Sequence, residues 1–325
     1  MKLPIRIAGT SSIPVGPVIP TSEIVKHVAP PRDAADIERR TGIASRRFAP
    51  RDATAAGLGA DALAKALEQA QLSASALERI ILVTSGGTDL IFPATSNLIA
   101  ARLGLAMTCD CFDLANACMG FLTALDIAAR GIATGGGPVG IAVVELPSRR
   151  ITPKDARPYL VFGDAATAAV VTRAHGGEGV LGSWLRNDGI AFGNVRLESE
   201  VLTGRLETIR FTASHETMGR EAIDAVRAAT EAVLKQAGLS LDDVDWVVPH
   251  QPNGALLDAI EQALGFDPER VVRVVRELGS AGAASIPVSL DVLMRERPVR
   301  AGDRVLMVGV GAGISCGAVL YEVGR

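Results

Sequence analysis

The 325-residue sequence lacks the features that mark secreted, membrane and nucleic-acid-binding proteins. It holds four cysteines, too few for a disulfide framework and typical of a reducing compartment. No apolar stretch reaches the ~18 residues of a membrane-spanning helix, and no signal-peptide pattern opens the chain. The net charge of −3 offers no basic footprint for nucleic acid or a membrane surface. These absences predict a cytoplasmic protein with no nucleic-acid or membrane partner.

Histidine is scarce, and one of the four histidines stands apart. The four are His27, His175, His215 and His250. The first three lie in polar segments and are predicted to be exposed, whereas His250 ends the apolar strand WVV and opens the loop PHQPN. A histidine there is either a hydrogen-bonded strand-end residue or a general base. Cys109 and Cys111 have no second Cys or His pair nearby, so no metal site is expected.

The sequence does contain an internal repeat. Residues 67–81 (LEQAQLSASALERII) and 234–248 (LKQAGLSLDDVDWVV) share identical residues at a constant offset, and each copy predicts a helix end, a turn and a buried strand. Further along, VFGDAATAAVV at 161–171 corresponds to GVGAGISCGAVLY at 309–321. The repeat predicts an α/β protein with two duplicated halves, residues 1–174 and 175–325, joined at the glycine-rich segment HGGEG. Loops that follow corresponding strands should then meet near a pseudo-twofold axis.

Cys118 lies in such a loop, within DLANACMGF at 113–121. A helix is predicted from residue 118 to 130, and a thiol at a helix N-terminus has a lowered pKa. The position therefore suits a nucleophile, and Gly120 permits close approach by other backbone. A core cysteine would fit the same apolar surroundings, so position alone leaves both interpretations open. The other three cysteines, Cys109, Cys111 and Cys316, are predicted to be structural.

A second glycine-rich loop, GVGAG at 309–313, follows an apolar strand. It lacks both the GxGxxG spacing and a GK[ST] ending, which argues against nucleotide binding. It is either a tight turn that brings backbone N–H groups close to a reacting carbonyl or a hairpin without an active role.

Taken together, these motifs resemble the thiolase superfamily, and more closely β-ketoacyl-acyl-carrier-protein synthase III. The resemblance runs through ERRTGIASRRFA at 38–49, DLANACMGF, VFGDAATAAVV, VVPHQPN, GSAGAASIP at 279–287 and GVGAGISCGA. It implies a five-layered αβαβα fold and a homodimer, in which ILVTSGG would form an interface strand and LIFP a loop donated to the partner. It also implies acyl thioester substrates, carried by coenzyme A or acyl carrier protein, no further cofactor, and a Cys-His-Asn catalytic set.

The resemblance assigns roles to individual residues of this sequence. Cys118 matches the nucleophile and His250 the catalytic histidine, and the backbone N–H groups of Cys118 and Ala312 match the oxyanion hole. Phe92 matches a residue that lines the acyl tunnel of the neighbouring subunit. The expected substrate-binding residues are Phe92, Met218, Gly279 and Gly311.

Three departures from the family pattern bear on the second substrate and on its carrier. Ser280 stands in place of the catalytic asparagine, and a serine hydroxyl donates one hydrogen bond at most. Asp36 replaces a tryptophan that stacks on adenine, and Glu261 and Gln262 replace basic residues that would meet an acidic carrier protein.

Because of Ser280, ordinary malonyl-dependent elongation is not expected. Two accounts remain for an acylated Cys118: condensation with a β-ketoacyl thioester, or acyl transfer to an oxygen or nitrogen acceptor. A third possibility is a non-catalytic partner subunit of a heterodimer, against which the retention of Cys118 and His250 argues.

Overall fold

The computed structural model describes residues 2–86, 89–204 and 206–324. Residue 87, which ends the predicted interface segment ILVTSGG, lies outside these ranges. The strands are β1 (Ile5–Ile13), β2 (Val18–Pro20), β3 (Ser45–Arg47), β4 (Arg79–Val83), β5 (Asp110–Leu114), β6 (Val139–Glu145), β7 (Ala165–Arg173), β8 (Gly179–Asn187), β9 (Val195–Arg196), β10 (Arg210–Phe211), β11 (Trp246–Pro249), β12 (Arg304–Gly311) and β13 (Ser315–Glu322).

The α-helices are α1 (Thr21–Ile24), α2 (Ala34–Thr41), α3 (Ala55–Ala70), α4 (Thr95–Arg102), α5 (Gly120–Ala133), α6 (Ala156–Tyr159), α7 (Glu200–Thr203), α8 (His215–Ala237), α9 (Gly254–Leu264), α10 (Val275–Leu278) and α11 (Ser285–Glu296). Short 3₁₀ turns lie at Val25–His27, Ala74–Ala76, Ala117–Met119, Pro147–Arg150, Gly189–Ala191, Leu241–Asp243 and Gly282–Ala284.

Two mixed sheets organise the molecule. The first has the strand order β1-β7-β6-β4-β5, with β4 parallel to both β5 and β6. The second has the order β11-β12-β13-β8, with β11 parallel to β12 and the other pairs antiparallel. Parallel neighbours bring the carboxyl ends of their strands to the same edge of the sheet, where the loops that follow them converge.

The layers are those of the expected αβαβα sandwich. Helices α3 and α4 pack on the outer face of the first sheet, and α8 and α9 on the outer face of the second. Between the sheets, α5 and α11 share one core with inward-facing residues of both, including Ile81, Val83, Val305 and Met307. The prediction of a thiolase-like α/β fold is confirmed.

The repeated elements have the order that the sequence predicts. A 3₁₀ turn and a strand follow α3, and a 3₁₀ turn and a strand follow α8, with β4 and β11 beginning at the 167-residue offset of the two sequence copies. The first sheet ends with β7 at Arg173 and the second begins with β8 at Gly179. The duplication boundary between residues 174 and 175 stays a prediction. Among the described residues, no helix is long and apolar enough to cross a membrane.

Candidate active site

Cys118 lies in the 3₁₀ turn that connects β5 to α5. The preceding residue, Ala117, has a φ of 42°, a left-handed conformation that is rare for a residue with a side chain. Helix α5 begins at Gly120, two residues later than predicted. A Cβ at Gly120 would lie 2.4 Å from Cγ1 of Val83, so this glycine lets the turn pack directly on β4.

The hairpin between β12 and β13 lies against the same turn. A Cβ on Gly311, the last residue of β12, would lie 3.1 Å from both the backbone nitrogen and the Cβ of Cys118. The glycine-rich segment at 309–313 is therefore a tight hairpin, and it brings Ala312 and Gly311 to the cavity that Cys118 lines.

His250 follows β11 and is 4% exposed. Its backbone N–H donates to the carbonyl of Val308 on β12 at 2.8 Å, and its Nδ1 lies 2.8 Å from Oγ of Ser285 on α11. These contacts fix the ring and leave Nε2 for the cavity, where a neutral imidazole either donates or accepts one hydrogen bond according to its tautomer.

The loop after His250 is held by a buried amide that the sequence analysis did not single out. Gln251 donates from Nε2 to the carbonyl of Val272 at 2.7 Å and to Oγ of Ser289 at 2.9 Å. Its Oε1 accepts from the backbone N–H groups of Val274 and Val275. Fully satisfied buried amides of this kind rigidify their surroundings, and this one positions His250 through its neighbour in sequence.

Ser280 is buried at the start of the segment that leads into α11. Its backbone N–H donates to the carbonyl of Val161 at 2.8 Å, and its own carbonyl accepts from Gly163 at 3.0 Å. These two hydrogen bonds attach the segment to the loop before β7 and bring Ser280 to the cavity wall.

One cavity of about 950 Å³ brings the four predicted catalytic residues together. They are Cys118, His250, Ser280 and Ala312. They come from loops of both halves of the chain, as the pseudo-twofold argument predicts. Of the predicted substrate-binding residues, Met218 on α8 and Gly311 also line this cavity.

The other two predicted substrate-binding residues lie elsewhere. Gly279 is buried behind the wall, where an added Cβ would lie 2.9 Å from the carbonyl oxygen of Val161, so its position is set by backbone packing. Phe92 is 88% exposed on the loop before α4, away from the cavity of its own chain.

Desolvation leaves both reactive groups uncharged, although the Cys118 side chain is only half-buried where it lines the cavity. Desolvation raises the pKa of the Cys118 thiol to about 12, with a further contribution from the charge of Glu145 and a smaller opposing one from a backbone N–H. Burial lowers the pKa of His250 to about 4. The expectation of a lowered thiol pKa at a helix N-terminus is therefore wrong, because desolvation outweighs the backbone dipoles. The resting pair is a neutral thiol and a neutral imidazole.

Glu145 is a cavity residue that the sequence analysis missed. It ends β6, is 3% exposed and lines the cavity with Cys118. Burial raises its pKa to about 7, against the hydrogen bonds from Ser85 and from the backbone of Ala283 that favour the carboxylate. A charged residue at the carboxyl end of the apolar strand GIAVV was the available sequence signal.

Asp36 and Glu261, two of the residues at which the sequence departs from the expected pattern, form local ion pairs. Asp36 accepts from Arg39 and Arg40 within α2, and Arg40 also lines the cavity. Glu261 is buried and pairs with Arg273, so it does not present an acidic surface.

The remaining cysteines and histidines have the surroundings expected of them, with one addition. Cys109 and Cys111 lie with their sulfurs 3.7 Å apart beside the core of the first half, and Cys316 packs on that of the second. No group of three potential metal ligands occurs among the described residues. Of the three histidines predicted to be exposed, His215 also lines the cavity.

The chain is similar to proteins of one family along nearly its whole length. Residues 112–189 match the model of 3-oxoacyl-[acyl-carrier-protein (ACP)] synthase III, and residues 234–323 match that of its C-terminal part. The β-ketoacyl-[acyl-carrier-protein] synthase III of Sphingopyxis alaskensis is 33% identical over 323 residues, which cover 98% of both chains.

Solved structures agree with this similarity. The crystal structure of 3-oxoacyl-[acyl-carrier-protein] synthase III from Aquifex aeolicus matches with a TM-score of 0.91 and 30% identity, over 98% of this chain and 99% of the other. The priming β-ketosynthase of the R1128 polyketide biosynthetic pathway matches with a TM-score of 0.91 and 29% identity, over 100% of this chain and 97% of the other.

Proposed function

Because the chain belongs to the 3-oxoacyl-ACP synthase III family of condensing enzymes, we propose that it loads an acyl group onto Cys118 and then forms a carbon–carbon bond with a second substrate. That substrate is not an ordinary malonyl thioester; a β-ketoacyl thioester of secondary metabolism is an example. The observation that carries this proposal is the meeting of Cys118, His250 and Ala312 in one cavity in which Ser280 stands where the family has asparagine.

In the loading step, the Cys118 sulfur attacks the thioester carbonyl and the carrier thiol leaves. The backbone N–H groups of Cys118 and Ala312 stabilise the negative charge on the carbonyl oxygen of the tetrahedral intermediate. The close approach of the hairpin to the Cys118 turn supports this role, since an oxyanion hole needs preorganised donors near the reacting atom.

In the condensation step, a carbanion formed from the second substrate attacks the acyl-Cys118 carbonyl carbon, and the bond from that carbon to the Cys118 sulfur breaks. Malonyl thioesters need donors that hold the enolate formed as carbon dioxide leaves, and Ser280 offers one hydroxyl for that task. A β-ketoacyl thioester instead carries a second carbonyl that stabilises its own carbanion, so it depends less on the residue at position 280. The neutral imidazole of His250 accepts the proton that the β-ketoacyl carbon loses, and the departing Cys118 sulfur takes that proton back.

The thioester carrier is an anion, either coenzyme A or acyl carrier protein. Three exposed arginines that line the cavity support this: Arg32, Arg40, which is paired with Asp36, and Arg196, which is paired with Glu198. Asp36 occupies the place of the adenine-stacking tryptophan. Guanidinium groups recognise phosphates and carboxylates through paired hydrogen bonds.

The first prediction tests both steps in turn. Intact-protein mass spectrometry after incubation with acetyl-, butyryl- and octanoyl-CoA should show one added acyl group in the unmodified protein and none in Cys118→Ala. Cys316→Ala, which removes a thiol of the second half, is the matched control and should still be acylated. An equal mass gain in Cys118→Ala would contradict the assignment.

The acylated enzyme is then offered labelled malonyl-CoA or acetoacetyl-CoA. Condensed product should form with the β-ketoacyl thioester, and little labelled carbon dioxide should be released from malonyl-CoA. Ser280→Asn should raise that release by adding a donor to the site. Efficient malonyl condensation by the unmodified enzyme would contradict the proposal, and an ester or amide product would instead indicate transfer to oxygen or nitrogen.

A further inference from the structure

Glu145 is a buried carboxyl group in the wall of the cavity. It lies at the carboxyl end of β6, the strand that neighbours β4 in the first sheet, and its side chain lines the same cavity as Cys118, on whose pKa its charge acts. No ion pair to Glu145 occurs within residues 2–86, 89–204 and 206–324. Buried carboxylates are normally paired, so an unpaired one in a reaction cavity calls for a chemical role.

The surrounding backbone is arranged to hold this carboxyl group. Ser85 donates from its hydroxyl to Oε1 at 2.9 Å and from its backbone N–H to Oε2 at 3.2 Å. On the other side, a Cβ on Gly282 would lie 3.3 Å from the carboxyl carbon, so the bare glycine, with its φ of 52°, leaves the space that Glu145 fills. The carboxyl group thus lies between the loop after β4 and the turn that precedes α11.

Two titratable groups interact electrostatically with Glu145, and both are acidic. Asp164, from the loop before β7, raises its pKa, and Glu145 in turn raises the pKa of Cys118. A carboxylate and a thiolate in this cavity therefore disfavour each other, and the two sites carry a single negative charge more readily than two. His250, whose pKa is lowered to about 4, is the weaker proton acceptor of the cavity.

We propose that Glu145 is the proton acceptor of the loading step. Its carboxylate takes the thiol proton of Cys118 as the bond between sulfur and the substrate carbonyl carbon forms. When the tetrahedral intermediate breaks its bond to the carrier sulfur, the carboxylic acid returns the proton to the departing thiolate. The step begins and ends with an ionised Glu145, and no other reactant is consumed. This inference rests on the proposed function, because it requires an acyl thioester as donor.

The test is single-turnover acylation of Cys118 by octanoyl-, butyryl- or acetyl-CoA between pH 5.5 and 9, followed by intact-protein mass spectrometry. The rate of the unmodified enzyme should rise through an inflection near neutral pH. Glu145→Gln should lose that inflection and react about 10²-fold more slowly at pH 7.5, the usual size of a lost acid–base contribution. If Glu145 acted only through its charge, Glu145→Gln would be acylated faster than the unmodified enzyme, since removing a negative charge near the thiol favours its ionisation.

Ser85→Ala keeps the carboxyl group and removes one hydrogen bond to its charged form, so the inflection should move to higher pH. This result decides the question even if Glu145→Gln fails to fold. Glu261→Gln, which alters a buried carboxyl group on α9 outside the cavity, should keep the wild-type profile. Equal or faster acylation in Glu145→Gln would overturn this inference alone. Failure of every thioester to acylate the unmodified enzyme would overturn the proposed function with it.

Discussion

Single residues of the cavity are tuned chiefly by burial. It is the first cause of the shifted pKa at Cys118, at Glu145 and at His250, and in each case it favours the uncharged form. Hydrogen bonds from Ser85 and Ala283 oppose it at Glu145 without cancelling it. Cys118 and His250 are therefore neutral at rest, whereas Glu145 titrates near neutral pH and is available as a carboxylate above it.

Glu145 should make the free energy of unfolding depend on pH, and Glu145→Gln should lack this contribution. Its pKa rises from 4.5 to about 7 on folding, so between these values the folded state binds more protons than the unfolded state. Stability from this group is present below pH 4.5 and is lost as the pH rises to 7. Relative to the unmodified protein, Glu145→Gln should therefore gain on the order of 3 kcal/mol in free energy of unfolding from pH 4.5 to 7.5.

Urea unfolding of both proteins at these two pH values measures this difference. The comparison matters because His250, with its pKa lowered from 6.5 to about 4, contributes the opposite slope over much of the same range. Because the two contributions oppose each other, the stability of the unmodified protein alone can change little with pH. A difference between the two proteins that stays constant from pH 4.5 to 7.5 would contradict the pKa direction given for Glu145.

Among the secondary-structure elements, the β12–β13 hairpin makes a close backbone contact with the Cys118 turn. Gly311 approaches the Cys118 turn so closely that even a methyl group would lie 3.1 Å from the Cys118 nitrogen. The two segments that meet here, the hairpin and the turn, are held by sheet pairing and by turn hydrogen bonds, so moving either of them costs free energy.

Gly311→Ala should therefore displace the proposed oxyanion donors while leaving the sheet intact. We expect Cys118 acylation to slow by about 10²-fold, the usual cost of losing one such donor. Circular dichroism should be unchanged. Gly177→Ala, at a glycine whose added Cβ meets nothing within 4 Å, is the matched control. Acylation of Gly311→Ala at the wild-type rate would contradict a role for the hairpin in the oxyanion hole.

The elements show what a sequence can and cannot predict. Order and type follow from periodicity and from the repeat, which is why α3–β4 and α8–β11 lie where the two copies place them. The predicted start of α5 is two residues too early, because the strained turn at Ala117 depends on packing against β4 and the hairpin. Glu145 was missed and the thiol pKa had the wrong sign for one shared reason. Both depend on burial created when the two halves close over the cavity, and no local pattern records that.

At the scale of the whole molecule, the exposed apolar side chains are concentrated in a few loops. Ile91 and Phe92, in the loop before α4, are 96% and 88% exposed, and Met107 is fully exposed on the loop before β5. Adjacent apolar side chains that are exposed in a single chain indicate a surface that a partner covers. These side chains support the proposal of a homodimer in which Phe92 enters the neighbouring subunit.

Phe92→Asp should weaken that dimer by placing a charge in the interface. Light scattering at micromolar concentration should give a dimer for the unmodified protein and a smaller mass for the variant. Val18→Asp, which adds the same charge at an exposed site on β2, should remain dimeric. A monomeric unmodified protein would contradict the homodimer and leave Phe92 without a role in the acyl tunnel.

The neutral thiol of Cys118 has a consequence for its sensitivity to oxidation. Peroxides and simple alkylating agents attack thiolates, and burial keeps this thiol protonated throughout the physiological range. Cys111 and Cys316 also have raised pKa values caused chiefly by burial. The raised pKa of Cys118 thus slows its reaction with peroxides and alkylating agents, although the half-buried side chain lines the cavity. A covalent inhibitor that reacts only with thiolates should therefore modify Cys118 slowly.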